Sequence, residues 1–426
     1  MHSKSALVVI FFGEYYIIGL VCVRYLQGIH MDRKPSILII IFRYLPNTRS
    51  NGPAKSVNGM IQRLYHDFDF WVLTADRDYG DLQVPANLKV GSWQPITNGQ
   101  VFHLPRKALN SPFQLRKYLR TFHYDLVSLH HYFGTVTVVY LLLRRLGWVV
   151  NKPTVIVPHG CLMKGALAHR PLKKQVYLWL ANRLGLNRNV LWRATSEHEM
   201  QEIRRLFPHA EIFLAPNLSP TLENLDVMLP PSKPNKLVGH LKLAYLSQIH
   251  PKKQLHWALE TLAKVSGTVE FSIYGPVFDG QVDYWEKCKA LVAHLPPNIQ
   301  VSFCGEVAQN SVFAVLQNHH MFILPTKDEN YGHAIVEALL AGCPVIISDR
   351  TPWRDLPAKQ VGWDLPLDDE NAFIEVLNTA VMMDDHTFQV WSKSAHDYGL
   401  SIINDEAVVN ANRLLFQQAL TMSTER

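Results

Sequence analysis

Apolar residues in this chain fall in short unbroken runs separated by longer mixed stretches. "SILIIIF" (36–42) is continuous and β-branched, the pattern of a strand buried on both faces of a parallel sheet. "FWVLTA" (70–75), "DLVSLH" (125–130), "PTVIVPHG" (153–160) and "LWRATS" (191–196) read as further strands. Between them, "TVTVVYLLLRRLG" and "LKKQVYLWLANRLGL" read as helices, and another is expected from about Ala54 after the loop holding Pro46, Asn51, Gly52 and Pro53. Alternating strands and helices predict an α/β domain with a parallel sheet.

Residues 218–240 break the rhythm with four prolines and no periodic apolar face, as expected of a linker. The alternation restarts with "LKLAYLS" (241–247), "VEFSIYG" (269–275), "IQVSFCG" (299–305), "MFILPT" (321–326) and "CPVIISD" (343–349). The expected organisation is a first Rossmann-like domain over 31–217, the linker, a second over 241–395, and a closing helix and tail over 396–426. Two such domains leave a cleft between the carboxyl ends of their sheets, where open α/β sheets bind ligands. The G-x-G-x-x-G dinucleotide fingerprint is missing, which argues against a dehydrogenase.

Composition narrows the class. With 48% hydrophobic and 18% charged residues the chain is globular rather than disordered. A net charge of +6 reads as mild and spread along the chain, suiting anionic substrates or an anionic membrane face but not nucleic acid. The five scattered cysteines lack a CxxC pair, so neither a disulfide framework nor structural zinc is expected. Residues 5–23 are apolar enough to span a bilayer, with Glu14 the one charge. Residues 1–30 are therefore either a membrane anchor, with the remainder facing the cytoplasm by its flanking charges, or a stretch preceding a true start at Met31.

The densest chemistry lies in "DENYGHAIVEALLAGCPVIISD" (328–349), where Glu329 and Glu337 stand eight positions apart. A strand ends before the loop, and a helix runs from about Gly332 to a stop at Gly342. The helix N-terminus offers unpaired N–H groups and a positive dipole end to a phosphate, and Gly332 permits close approach. Glu337 lies further along the helix, where a carboxylate can accept from vicinal hydroxyls such as those of a ribose. Its plain alternative is a first-turn glutamate stabilised by the dipole.

This segment resembles the E-x7-E signature of glycosyltransferase family 4, the retaining nucleotide-sugar glycosyltransferases of GT-B fold. The flanking "SDRTPWRDLPAKQVGWDLPLDD", "LAYLSQIHPKKQLHWALETL", "YLPNTRSNGPAKSVNGMIQRL" and "VPHGCL" resemble bacterial polysaccharide-assembly members, over roughly residues 34–395. The resemblance implies two Rossmann-like domains with parallel sheets facing across a cleft. It implies catalytic roles for His159, Lys253 and Glu329. Donor contacts would come from Asn51, Gly52, Gln248, Lys253, Asn330, Tyr331, Gly332, His333 and Glu337. Lys253 matches the family's diphosphate lysine, whereas Gln248 stands where the family commonly has arginine, with Lys252 a candidate substitute. His159 matches the histidine that faces the reacting sugar, and "GEV" (305–307) the contact to the base. For "HPKK" a solvated basic turn, and for Asn51-Gly52 an ordinary strand-to-helix turn, are the competing readings.

Other candidates are weaker. Ser196 and Glu199 form an S-x-x-E capping box, a sufficient structural reason for both, and His130 and His131 could line the acceptor side. No spacing suggests a metal site, and no DxD dyad is present, so the expectation is no metal and no cofactor beyond the nucleotide sugar as co-substrate. The expected function is sugar transfer from a nucleotide-diphosphate donor to a saccharide or lipid-linked saccharide, in capsule, exopolysaccharide or lipopolysaccharide assembly. The expected place is the cytoplasm or the inner face of the membrane. The alternatives are a nucleotide-sugar epimerase or hydrolase on the same scaffold, or a non-catalytic partner protein that keeps the fold.

Overall fold

The structure, a computed structural model, describes residues 8–12, 15–19, 33–45, 52–77, 83–85, 88–168, 170–220 and 231–422. Residues up to Pro35 form a separate unit, in which β1 (Val8–Phe12) pairs antiparallel with β2 (Tyr15–Gly19). The rest of the 1–30 segment, and with it the choice between anchor and later start, lies outside the described residues. Among the described residues no helix is long and apolar enough to cross a membrane.

From Ser36 onward the chain builds two sheets. The first comprises β3 (Ser36–Ile40), β4 (Asp69–Ala75), β5 (Trp93–Ile96), β6 (Gly99–Leu104), β7 (Leu126–His130), β8 (Thr154–Val157), β9 (Leu191–Ala194) and β10 (Glu211–Leu214). Their order is β10-β9-β8-β7-β3-β4-β6-β5, parallel throughout except for β5, which returns antiparallel to β6. The second comprises β11 (His240–Leu246), β12 (Thr268–Tyr274), β13 (Ile299–Gly305), β14 (Met321–Leu324), β15 (Val345–Ser348) and β16 (Gly362–Leu365). It is wholly parallel, in the order β13-β12-β11-β14-β15-β16. Central strands such as β3, β7, β14 and β15 are buried along their whole length, as their uninterrupted apolar sequences require. This is the GT-B architecture.

The second sheet has a single large core, whereas the first is covered on both faces by separate clusters. Linker residue Lys233 donates to the carbonyls of Leu316 and Ala341 at 3.1 Å each, fixing it to the second sheet. The helix Asp385–Ile403 runs unbroken through the boundary expected at 395, and the chain turns at Asn404-Asp405 instead. The final helix, Glu406–Thr421, then returns to the first sheet. There Phe416 packs edge-on against Phe68 and Phe70, with ring centroids at 5.5 and 6.2 Å. Asn412 ties the same helix to the end of the first domain, just before the linker, through the Pro216 carbonyl at 2.9 Å.

Phe416→Ala should therefore unfold the first half as well as the tail. A loss of about 3–5 kcal/mol is expected from truncating a buried Phe, read as a lowered urea midpoint. A midpoint unchanged from wild type would show that the helix is not part of that core.

Candidate functional site

The carboxyl ends of β3, β7 and β8 face those of β11 and β14 across a cavity of about 1560 Å³. Gly52, His159, Gln248, Lys253, Glu329, Asn330, Tyr331, Gly332, His333 and Glu337 all line it. The sequence candidates thus converge, apart from Asn51, which lies outside the described residues. Glu306 and Val307 of "GEV" line it too, as do His130 and His131.

On the first side, β8 ends at Val157 and the chain turns sharply through His159 (φ 55°) and Gly160 (φ 74°). A left-handed histidine is costly, so something must hold it there. Glu199 does so. Its carboxylate accepts the Gly160 N–H at 2.5 Å, and the N–H and hydroxyl of Thr195 at 2.9 and 2.7 Å. The capping-box reading is correct for Ser196, whose hydroxyl accepts from the Glu199 N–H at 3.2 Å. It is incomplete for Glu199, whose carboxylate shapes the turn of the cleft. Sequence reasoning missed this because the box explained the residue without its true partner, 39 positions away.

His159 shares a hydrogen bond of 2.7 Å between its Nε2 and Nδ1 of His130, whose Nε2 meets Ser128 Oγ at 3.1 Å. Burial, reinforced by nearby Arg193, holds the His130 imidazole down to about 3 and His159 well below its ordinary range. Both rings are neutral at physiological pH. His159 can therefore donate or accept a hydrogen bond in the cleft, but it does not stand there as a cation.

On the second side, β14 runs into the loop 325–332 and the helix His333–Leu340. Gly332 caps that helix at φ 83°, and a Cβ there would lie 2.7 Å from the Ile335 side chain. Lys253 pairs with Glu329, and Lys252 with Asp328 at 3.0 Å, so the two loops of this half are zipped together by charge. Gln248 lies in the same cavity wall. Gly342, at φ 67°, follows the helix one residue after the C-cap Ala341.

Several contacts join the two halves. Lys55 Nζ reaches Glu337 Oε1 at 2.6 Å, and Ser56 Oγ meets His333 Nε2 at 2.8 Å. Asn330 Nδ2 donates to the Thr195 hydroxyl at 2.7 Å, extending the Glu199 network across the cleft. Tyr331 turns its hydroxyl to Ser219 at 3.1 Å, and its carbonyl accepts from Trp353 Nε1 at 2.6 Å, so its polar groups serve the loop. Gln309 Nε2 also donates to Glu337 Oε1, at 2.9 Å. Lys55 and Gln309 gave no sign in the sequence, since each looks like an ordinary polar residue on a helix or loop. Two buried acceptor atoms, Glu337 Oε2 and Asn330 Oδ1, have no hydrogen-bond partner among the described residues. Buried acceptors without partners are costly, and at a cleft wall they mark where a ligand's donors belong. Among the described residues no His, Cys, Asp or Glu side chains cluster as a metal site.

The family model described as "Glycosyl transferases group 1" matches residues 240–382, and that described as "Glycosyl transferase 4-like domain" matches residues 51–217. The two cover the second and first sheets respectively, and the chain belongs to the glycosyltransferases of family 4 type. No curated protein sequence matches it. Among solved structures it is similar to sucrose-phosphate synthase from Thermosynechococcus elongatus, with a TM-score of 0.67 at 15% identity over 91% of this chain and 100% of that one. It is likewise similar to Anabaena HepE in complex with UDP and glucose, with a TM-score of 0.63 at 18% identity over 92% and 100%. WaaG, a glycosyltransferase involved in lipopolysaccharide biosynthesis, matches with a TM-score of 0.59 at 12% identity over 87% and 98%. At such identities these likenesses concern the fold.

The histidine network carries a pH signature. His130 and His333 sit at about 3 in the folded protein, from burial first and then from Arg193 and Lys55 respectively, against an ordinary 6.5. Below 6.5 the unfolded chain takes up protons that the folded chain refuses, so stability is full above that value and falls as pH drops toward 3. The urea midpoint should begin to fall near 6.5, above the carboxylate range, and His130→Asn should flatten that part of the curve. A midpoint constant down to the carboxylate range would contradict the neutral pair.

Proposed function

We propose that the protein transfers a hexosyl group from a nucleoside-diphosphate sugar to a saccharide or lipid-linked saccharide, with retention and without a metal. The observation that carries this reading is Glu337, with one carboxylate oxygen held by Lys55 and Gln309 and the other buried in the cleft without a partner among the described residues. Paired hydroxyls of a ribose would satisfy that second oxygen. From there the diphosphate would lie toward the N-terminus of the helix His333–Leu340, where free N–H groups and the dipole favour negative charge. Lys253, kept close by Glu329, supplies a cation as charge develops on the leaving diphosphate. The neutral His159 would then hydrogen-bond a hydroxyl of the transferring sugar. HepE in complex with UDP and glucose supports the choice of a nucleotide-sugar donor, and WaaG, involved in lipopolysaccharide biosynthesis, supports a setting in polysaccharide assembly.

The test is a thermal-shift screen of UDP-, GDP-, ADP- and TDP-sugars, followed by product analysis with and without acceptor. One donor should raise the melting temperature by linkage. Glu337→Ala and Lys253→Ala should remove that shift and lower kcat/KM by about 10²-fold or more. Equal donor turnover without any acceptor would replace transfer by hydrolysis or epimerisation. Full activity in both variants would sink the site.

A further inference from the structure

The helix Pro171–Leu184 is apolar on two opposite sides. Its inner side rests on the first domain, with Tyr177 against Tyr132 and Phe133 at centroid distances of 5.3 and 5.7 Å, and Ala181 fully buried. Its outer side shows Leu172, Val176, Trp179, Leu180 and Leu184 to solvent, Leu172 at 72% and Trp179 at 64% exposure. These positions fall on one face by helical spacing, with Lys173 and Arg183 among them. A surface helix ordinarily carries one apolar stripe, turned to the core, so a second one facing solvent is unusual.

The exposed face continues beyond the helix. Arg145 donates to the Leu184 carbonyl at 2.8 Å, fastening the helix to the end of Thr135–Arg145. Just beyond lie exposed Leu146 and Trp148, and Phe113 meets Trp148 with ring centroids 6.1 Å apart. Arg116 donates to the Trp148 carbonyl at 2.9 Å and lies over its ring.

Charge identifies the partner. The surplus is not spread evenly along the chain. Between Arg106 and Ser196 stand fifteen Lys and Arg against one acid, Asp125. Asp125 itself accepts from the Ser36 N–H and bonds His123. An exposed face of Trp, Phe and Leu interleaved with Lys and Arg, on a segment nearly free of carboxylates, fits the boundary of an anionic bilayer. Apolar tips enter the acyl region, aromatic rings sit at the headgroups, and cations meet lipid phosphates. We infer that the outer face of Pro171–Leu184, with the Trp148 and Phe113 corner, docks the protein on an anionic phospholipid surface. Arg170, which opens this helix, also lines the cleft, so docking sets the cleft mouth at the lipid surface. The docking surface stands without the transfer reading, and only its use for a lipid-borne acceptor rests on that reading.

Vesicle sedimentation with the full chain tests this. Wild type should pellet with phosphatidylglycerol-containing vesicles at low ionic strength, stay in solution with phosphatidylcholine alone, and be released by salt. Lys173→Glu should weaken anionic binding about fivefold or more, the effect of one basic group near such a surface, and Trp179→Ser with Leu180→Ser should weaken it further. Since these side chains are exposed, the variants should keep the wild-type melting temperature and its rise with donor. Three results would overturn the inference: no pelleting of wild type; variants pelleting as well as wild type, which would place binding elsewhere in the chain; or a dimer in light scattering that Trp179→Ser with Leu180→Ser abolishes while vesicles stay unbound. Loss of the donor shift in wild type would instead overturn the transfer reading and leave the docking surface untouched.

Discussion

A carboxylate buried away from water must be supplied with hydrogen-bond donors or it will not stay ionised. Glu199 is such a group, and much of the site follows from how it is satisfied. Burial pushes its carboxyl up, while the N–H groups of Thr195 and Gly160, the Thr195 hydroxyl and nearby Arg193 oppose that push. The donors it needs are the backbone of the very turn that carries His159. Arg193, itself lowered to about 10 by burial, is held by the carbonyls of Ala215 and Pro216 just before the linker. One buried carboxyl group therefore shapes the turn that carries His159, and through Thr195 and Asn330 it also reaches the second half of the molecule. Gly160 belongs to the same constraint. A Cβ there would stand 3.4 Å from Asn330 Cβ, so the glycine lets the two halves approach.

The cleft also manages its charges in pairs. Lys253 pairs with Glu329, Lys252 with Asp328 and Lys55 with Glu337, while Arg43, Arg106, Arg170 and Glu306 also line the walls and leave them net basic. These half-buried pairs are modest contributors to stability, and their value lies in placement. A diphosphate bound near Lys253, as proposed, would compete with Glu329 for the ammonium, and part of its binding energy would go into exchanging partners. Lys55 is different in kind, because it comes from the opposite half. It joins the first helix of one sheet to the helix His333–Leu340 of the other, and so links Glu337 to the relative position of the halves. Gln248 brings no charge, and the cation facing Glu337 comes from the first half instead.

Much of this was legible in the sequence because central parallel strands are buried on both faces and must be written as apolar runs. The ten strands expected from such runs are all present. In the two large sheets the strands that escaped are β5, β6, β10 and β16, each at a sheet edge or next to one, and the hairpin β1-β2 lies in a stretch read as a possible membrane span. Edge strands are half-solvated and need no such run. β5 even carries Pro95, which only an edge tolerates, and it joins β6 through a turn at Asn98 (φ 62°). The Glu329 to Glu337 unit was legible because it is local, one loop and one helix. Glu199 and Lys55 were not, since their meaning lies in partners 39 and 282 residues away. The even spread of charge was a misreading of a total: +6 over the chain hides a long segment with a single acid.

That segment and the cleft share an element, and this is what connects charge distribution to function. The helix Pro171–Leu184 begins at Arg170 in the cleft wall and carries its apolar outer face away from it. Its inner face is locked by Tyr177, and Lys174 reaches the Ala166 carbonyl at 2.5 Å while lying over the Phe133 ring. A helix so fixed transmits orientation: whatever surface its outer face lies on also fixes how the cleft mouth is presented. The contacts that span the cleft come from Lys55, Ser56 and Thr195 of the first half and from Asn330, His333 and Glu337 of the second. None involves this helix. If the first half rests on a surface as inferred above, the helix that meets it lies apart from the contacts that hold the second half against the first.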